Sequence, residues 1–275
     1  MPQQLNDLLN LKTKYDGDRM PVVFVGHGNP MNAIQDNPFT ESLLNLGKTL
    51  PKPKAILTIS AHWLSAGTFV TRMEQPRTIH DFYGFPQALF DVQYPAPGDP
   101  ELAKRIQGLS EKKPKIQADD HAWGLDHGTW AVLRKMYPDA DIPVLQLSID
   151  MSEPPVFHVE LGKKLQALRE QGVLILGSGN IVHNLRRADW NQSNQGFDWA
   201  LEFDQWAKEQ LVNRNFTALQ DDFMNTTAGR LSVPTPDHYL PLLYVLGAVS
   251  DKDQLSFSFE GYDMGSISMR SLVFG

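Results

Sequence analysis

Three of the eight histidines in this 275-residue chain sit just beyond short apolar runs that read as buried strands. His27 follows Pro21-Val-Val-Phe-Val25, and His62 follows Ala55-Ile-Leu-Thr-Ile59. His183 follows Val173-Leu-Ile-Leu176 through a Gly-Ser-Gly-Asn turn. In an open α/β sheet the carboxyl ends of the strands line the ligand crevice. Imidazoles delivered there by separate strands can converge on one metal ion, which makes metalloenzyme chemistry the first expectation.

The settings of the histidines differ. His27 lies in Val25-Gly-His-Gly-Asn-Pro30, where flanking glycines permit a sharp turn that exposes the ring. A plain βα turn with an incidental histidine fits the same residues, and His62 in Ser60-Ala-His-Trp63 equally fits a ring packed on Trp63. The glycines around Ser178 could form an anion nest, but neither GxGxxG nor GxxxxGK[ST] is present. His238, in Pro234-Thr-Pro-Asp-His-Tyr-Leu240, falls at a helix start where Asp237 could act as N-cap. His127, in Trp123-Gly-Leu-Asp-His-Gly-Thr-Trp130, also opens a helix, in an aromatic setting suited to acid–base work. His80 could reach a site from its loop, whereas His121 and His158 read as surface or helix-start residues. There is no HExxH and no GxSxG, which argues against a zincin and an α/β-hydrolase.

The elements that must position these rings follow from periodicity. Strands are expected at 21–25, 54–60, 68–72, 143–149, 173–177, 254–260 and 269–274. Helices are expected at 38–49, at 99–110 capped by Asp99, from Gly128 to before Pro138, and at 155–171 ending at Gly172. Two more are expected at 195–213 and 236–248, the last with Pro241 in its first turns. A proline-rich loop at 76–98 carries Phe82, Tyr83, Phe85, Phe90 and Tyr94, and suits a pocket wall or lid. Residues 1–20 read as a polar lead-in with helical character around Leu5–Leu11. The alternation gives one α/β domain, 21–275, with a mostly parallel central sheet flanked by helices.

Composition narrows the function classes. With no cysteine, disulfides, thiol nucleophiles and Cys-rich metal sites are excluded. A bound metal must then take nitrogen and oxygen donors, which suits zinc, iron or manganese. The net charge of −7, with scattered basic residues, disfavours nucleic acid. The longest nearly apolar run, the eleven residues Tyr239 to Val249, is too short to span a bilayer, and the N-terminus lacks a secretory pattern. A soluble cytoplasmic protein without membrane contact is the expectation.

Six motifs together resemble a known family: Phe24-Val-Gly-His-Gly-Asn-Pro-Met31, Ile59-Ser-Ala-His-Trp63, Ile79-His-Asp-Phe-Tyr-Gly-Phe-Pro86, Gly124-Leu-Asp-His-Gly-Thr-Trp130, Gly177-Ser-Gly-Asn-Ile-Val-His-Asn184 and Thr235-Pro-Asp-His-Tyr-Leu-Pro-Leu242. They look like the class III extradiol ring-cleavage dioxygenases, in the branch similar to 4,5-DOPA extradiol dioxygenases. The resemblance spans about 21 to 275 and implies one divalent metal ion per chain, Zn²⁺ or Fe²⁺. It implies His27 and His62 as metal ligands, His183 and His238 as the remaining site histidines, and His127 as a ring that contacts substrate or moves protons. His183 is left between ligand and acid–base partner. The family generally completes its metal set with a late glutamate. Here the late motif offers His238, and neither Asp237 nor Glu260 matches that ligand, so an all-histidine site is expected.

The activity so implied is opening of a catechol such as DOPA, a small aromatic diol, with molecular oxygen. His127 is then the leading base, with His183 second. Two alternatives are a zinc protein of the same fold with hydrolytic or no activity, and a closed structural metal module. A substrate carboxylate would want a cation, for which Arg72, Arg77, Arg186 and Lys54 are the candidates.

Overall fold

The structure is a computed structural model describing residues 19–110, 115–192 and 194–275. The expected helix around Leu5–Leu11 and nearly all of the 1–20 lead-in lie outside the described residues. The strands are β1 (Val22–Gly26), β2 (Ala55–Ser65), β3 (Thr68–Thr71), β4 (Ile116–Asp119), β5 (Val144–Asp150), β6 (Val173–Gly179), β7 (Leu255–Phe259), β8 (Tyr262–Asp263), β9 (Ile267–Ser268) and β10 (Ser271–Phe274). The helices are α1 (Pro38–Thr49), α2 (Gln87–Phe90), α3 (Pro100–Gly108), α4 (His127–Met136), α5 (Pro155–Leu165), α6 (Asp198–Val212), α7 (Phe216–Asp221), α8 (Thr227–Ser232) and α9 (Leu240–Ala248).

One eight-stranded sheet runs in the order β4-β3-β5-β2-β6-β1-β10-β7. Its centre, β5-β2-β6-β1, is parallel throughout, and β10 and β7 close one side antiparallel. The runs that predict central strands are apolar at consecutive positions because both sheet faces are covered. Val22 and Phe24 of β1 point into a core shared with α5, α6 and α9, and Val23 and Val25 into the opposite core with α1 and α4. Among the described residues no helix is long and apolar enough to cross a membrane.

Local chemistry fixes the helix starts. Asn37 caps α1 in a reciprocal box with Thr40, with Pro38 in the first turn. Asp99 caps α3 and Asp126 caps α4, each accepting a hydrogen bond from the backbone three residues on. The helix expected over 155–171 is α5 followed by a 3₁₀ stretch, Gln166–Gln171. The short elements β4, α2, α7 and α8 were not expected, because four to six residues carry too little periodicity to read.

Two expectations need correction. β2 continues to Ser65, so His62 lies inside the strand rather than beyond it. The pairing with β5 is irregular there, Ile59 facing Leu147 and Leu64 facing Ile149, so residues 60–63 bulge out of the ladder. Of the two positions expected for His158 the helix-start one holds and the surface one does not; it lies in the first turn of α5, fully buried, with its Nδ1 3.0 Å from the Tyr244 hydroxyl. Burial lowers the His158 pKa from 6.5 to about 4. Its contribution to stability is therefore present in full above the unfolded value and is lost as pH falls towards the folded value. Between pH 7 and 4 the loss should be on the order of 3 kcal/mol. Urea unfolding should show the parent losing that much more than His158→Leu over this range, and parallel curves would refute the assignment.

Candidate metal centre

β2, β6 and β1 are neighbours in the sheet, so their carboxyl ends open onto one crevice. The His27 backbone N–H donates to Gly179 O at 3.0 Å, carrying the β1–β6 ladder one residue past the strand. Gly28 then takes φ +60°, which favours glycine, and a Cβ there would lie 2.4 Å from Met269 Sδ. The bulge in β2 turns His62 into the same crevice. Gly128 lets the start of α4 approach it, since a Cβ would lie 2.5 Å from Ser60 Oγ and 3.0 Å from His62 Cδ2. His238, just ahead of α9, is tied back to β6 through Asn180 N–H donating to His238 O at 2.8 Å.

Donor atoms of His27, His62 and His238 all lie within 4.8 Å of one another. The hydrogen bonds behind the rings determine which nitrogens face inward. Ser178 Oγ donates to Gly128 O at 2.5 Å, so it must accept from His27 Nδ1–H at 3.0 Å. That leaves His27 Nε2 with a free lone pair. Asp237 accepts from His238 Nδ1 and leaves the other nitrogen of that ring free. His62 Nδ1 lies 3.4 Å from Asp81 Oδ2, again leaving Nε2. The Nε2 atoms of His27 and His62 face each other at 3.1 Å. Two lone pairs so opposed repel unless a proton or a cation lies between them. Burial, followed by the neighbouring imidazoles, lowers the His27 and His62 pKa values well below the usual histidine range. A proton is thereby disfavoured, and the donor set fits a divalent cation. With bonds of ~2.0–2.1 Å, two nitrogens on a tetrahedral ion sit roughly 3.3 Å apart.

A second group borders the first. His127 donates from its backbone N–H to Asp81 Oδ1 and from Nδ1 to Asp81 Oδ2, both at 2.9 Å. Burial pushes the Asp81 carboxyl up, but the hydrogen bonds and charge of His127 outweigh it, and the net shift is downward. The His127 and His62 ring centroids are 3.9 Å apart. Beneath them Asp126 accepts from Ser60 Oγ at 2.7 Å and from Gln146 Nε2, joining the β2 bulge to the start of α4. Burial, then the Asp81 charge, raises Asp126 to about 6.

His183 takes a different position from the other three rings expected at a metal. It stacks face to face on His238, with centroids 3.5 Å apart and planes at 6°. Its donor atom groups with Asp237 and His238 instead of with His27 and His62. Burial, then His238, lowers its pKa well below the usual range. Burial pushes Asp237 up, yet the hydrogen bond and charge of His238 prevail and bring it to about 2.

All five rings line one cavity of about 460 Å³, with Phe82, Phe85, Met264 and Ile267 as apolar wall. Tyr83 and Trp190, 92% and 67% exposed, form its rim. Of the five aromatics in the 76–98 loop, Phe82, Tyr83 and Phe85 line the cavity. Tyr94 is buried and donates to Tyr137 O instead. His80 donates to Val92 O and packs on Phe82 and Trp130, away from the cavity lining, and His121 is exposed. None of the four candidate cations lines the cavity. Arg72 is held by Asp120 and Arg77 by the Ala122 and Trp123 carbonyls. Lys54 precedes β2 at the opposite strand end, and Arg186 follows the rim residue Leu185. Glu260 pairs with Arg270 and Lys208 outside the site.

Sequence reasoning overlooked Asp81 and the orienting role of Ser178. Asp81 lay within a quoted motif, and Ser178 pairs in register with Val25, two residues before His27.

Residues 21–272 match the family model described as the catalytic LigB subunit of aromatic ring-opening dioxygenase. The chain is 51% identical over 259 residues to a 4,5-DOPA dioxygenase extradiol of Escherichia coli K12, covering 94% of this chain and 95% of that protein. It is 37% identical over 255 residues to a protein of the same name from Beta vulgaris, covering 91% and 95%. A crystal structure of an uncharacterized protein from Escherichia coli K12 superposes with a TM-score of 0.82 at 46% identity, covering 94% of this chain and 100% of that one.

Proposed function

The chain belongs to the family of catalytic LigB subunits of aromatic ring-opening dioxygenases and is an extradiol dioxygenase; on that premise we propose that it opens a small catechol with molecular oxygen at one divalent metal ion held by His27, His62 and His238. The observation that carries this reading is the opposed pair of free Nε2 lone pairs on His27 and His62, 3.1 Å apart and joined by His238. When bound, the ion would supply the Lewis-acidic centre at which catechol and dioxygen meet and, if it is iron, the redox chemistry of ring opening.

The chain's own residues supply the rest. His127, with Nδ1 and backbone N–H committed to Asp81, keeps Nε2 available to take a catechol proton and later return it. His183, stacked on His238, stands as the second proton-handling ring beside the open side of the metal set. Phe82 and Phe85 give the aromatic ring an apolar wall that excludes water, and Tyr83 and Trp190 complete its rim. The 460 Å³ cavity suits a single-ring diol.

Protein purified without oxygen, assayed for metal, then loaded with Fe²⁺ and exposed to air with DOPA and caffeate should form yellow ring-opened product. No product across a catechol panel with iron bound would sink the proposal. Zinc at full occupancy that iron cannot displace would favour the zinc-protein reading, which the all-imidazole donor set keeps in view.

A further inference from the structure

We propose that Asp81 is a positioning residue that sets the tautomers of His62 and His127 together, coupling the metal set to the proton-moving ring through one carboxylate. The inference rests on the reading of His62 as donor and His127 as acid–base group. Its geometry is specific to this carboxylate. Oδ1 accepts the His127 backbone N–H at 2.9 Å, and Oδ2 accepts His127 Nδ1–H at 2.9 Å. The same Oδ2 lies 3.4 Å from His62 Nδ1. The hydrogen bond to His127 Nδ1, and the negative charge 3.4 Å from His62 Nδ1, favour the Nδ1–H form of each ring and leave both Nε2 atoms free, one towards His27 and one towards the cavity.

Asp81 is held firmly enough to impose this. The preceding Ile79 donates to Leu125 O at 2.7 Å and accepts from Trp130 Nε1 at 2.8 Å, pinning the loop to α4 and the residues ahead of it. The following Phe82 packs edge-on to the His127 ring, with centroids 5.6 Å apart. The segment that walls the cavity with Phe82, Tyr83 and Phe85 therefore also carries the carboxylate that orients two rings.

The test is Asp81→Asn. Asparagine has nearly the same shape but offers one acceptor oxygen and an NH₂ donor. It cannot place an acceptor at both positions that Oδ1 and Oδ2 occupy against the two His127 N–H groups, and its donor side favours the opposite imidazole tautomer. Zinc titration of the metal-free variant should show affinity weakened on the order of 10-fold. Nitrogen-15 NMR of the histidine rings should show His127 leaving the Nδ1–H form. Once iron-loaded, kcat should fall about 100-fold with KM within roughly threefold, the pattern of a group that acts on the transition state through another. In a His127→Ala background the same change should cost little further kcat. Asp81→Glu, which keeps two acceptor oxygens, should recover part of the zinc affinity and the tautomer. Unchanged zinc affinity and unchanged ring tautomers in a folded Asp81→Asn protein would overturn the proposal, whatever happens to turnover. Because zinc affinity and tautomers are read without catechol, absence of ring cleavage in the parent would leave this test intact.

Discussion

Zinc titration of a His27→Ala protein is expected to give an affinity at least about 100-fold below the parent's, since even partners behind a ligand contribute 10–100-fold. The iron-loaded variant should form no detectable ring-opened product. His27 is the ring whose tautomer is fixed from behind by an unambiguous chain, Ser178 Oγ–H to Gly128 O and His27 Nδ1–H to Ser178 Oγ. Its Nε2 therefore always arrives as an acceptor. Removing it also removes the opposed lone pairs, so the metal-free variant should melt at no lower temperature than lost packing alone dictates. The rise in melting temperature on adding zinc, large for the parent, should vanish. His62→Ala and His238→Ala should behave alike. His183→Ala should retain zinc and lose turnover, because the donor atom of that ring groups with Asp237 and His238 and not with His27 and His62. Zinc loss in His183→Ala equal to that in His27→Ala would make His183 a fourth donor and overturn its assignment as a proton carrier.

His127→Ala separates chemistry from metal binding. Zinc affinity should stay within about threefold of the parent's, while kcat with a catechol falls by on the order of 10²–10⁴, the range for loss of a positioned acid–base group. His127 does not share the His27–His62–His238 donor group; it belongs with His62 and Asp81. Its ring nonetheless sits 3.9 Å from that of His62, close enough to serve a catechol oxygen held at the proposed metal site. Steady-state kinetics alongside zinc titration read both quantities on one preparation. Unchanged kcat would remove His127 from the reaction, and zinc loss matching His62→Ala would make it a ligand.

These effects depend on side chains that are hydrogen-bonded from behind before any ligand arrives. Three of the five rings are backed by a hydrogen-bonded partner: Ser178 for His27, Asp81 for His127, and Asp237 for His238. Asp126 ties the β2 bulge to α4 underneath. Such backing holds donors in place without reorganisation when metal or substrate binds.

Much of this was legible in the sequence because the signals are local. Consecutive apolar residues marked the central strands, and Pro38, Asp99 and Gly128 marked helix starts within a residue. His27 and His183 declared themselves by following such strands, and the quoted motifs carried the family resemblance that the 21–272 match bears out. Periodicity and capping act over one or two turns of chain, so they survive in a linear reading.

What only the tertiary structure decided lies between residues far apart in sequence. β6 inserts between β1 and β2, which are otherwise consecutive strands, and that order alone brings Ser178 behind His27 across 151 residues. Asp81 reaches His127 across 46 residues from a loop with no periodic signal. The bulge that turns His62 inward exists because β2 and β5 pair out of step. His183 meets His238 as a stacked ring instead of a fourth corner of the donor group, with Asn180, three residues before His183, donating its N–H to His238 O. Sheet order and register are set by burying whole faces against helices, a sum over the entire core that no local window contains. The sequence by itself therefore determined which imidazoles meet at the strand ends and the chemistry to expect of them, while their tautomers, partners and division of labour were decided only by the packed fold.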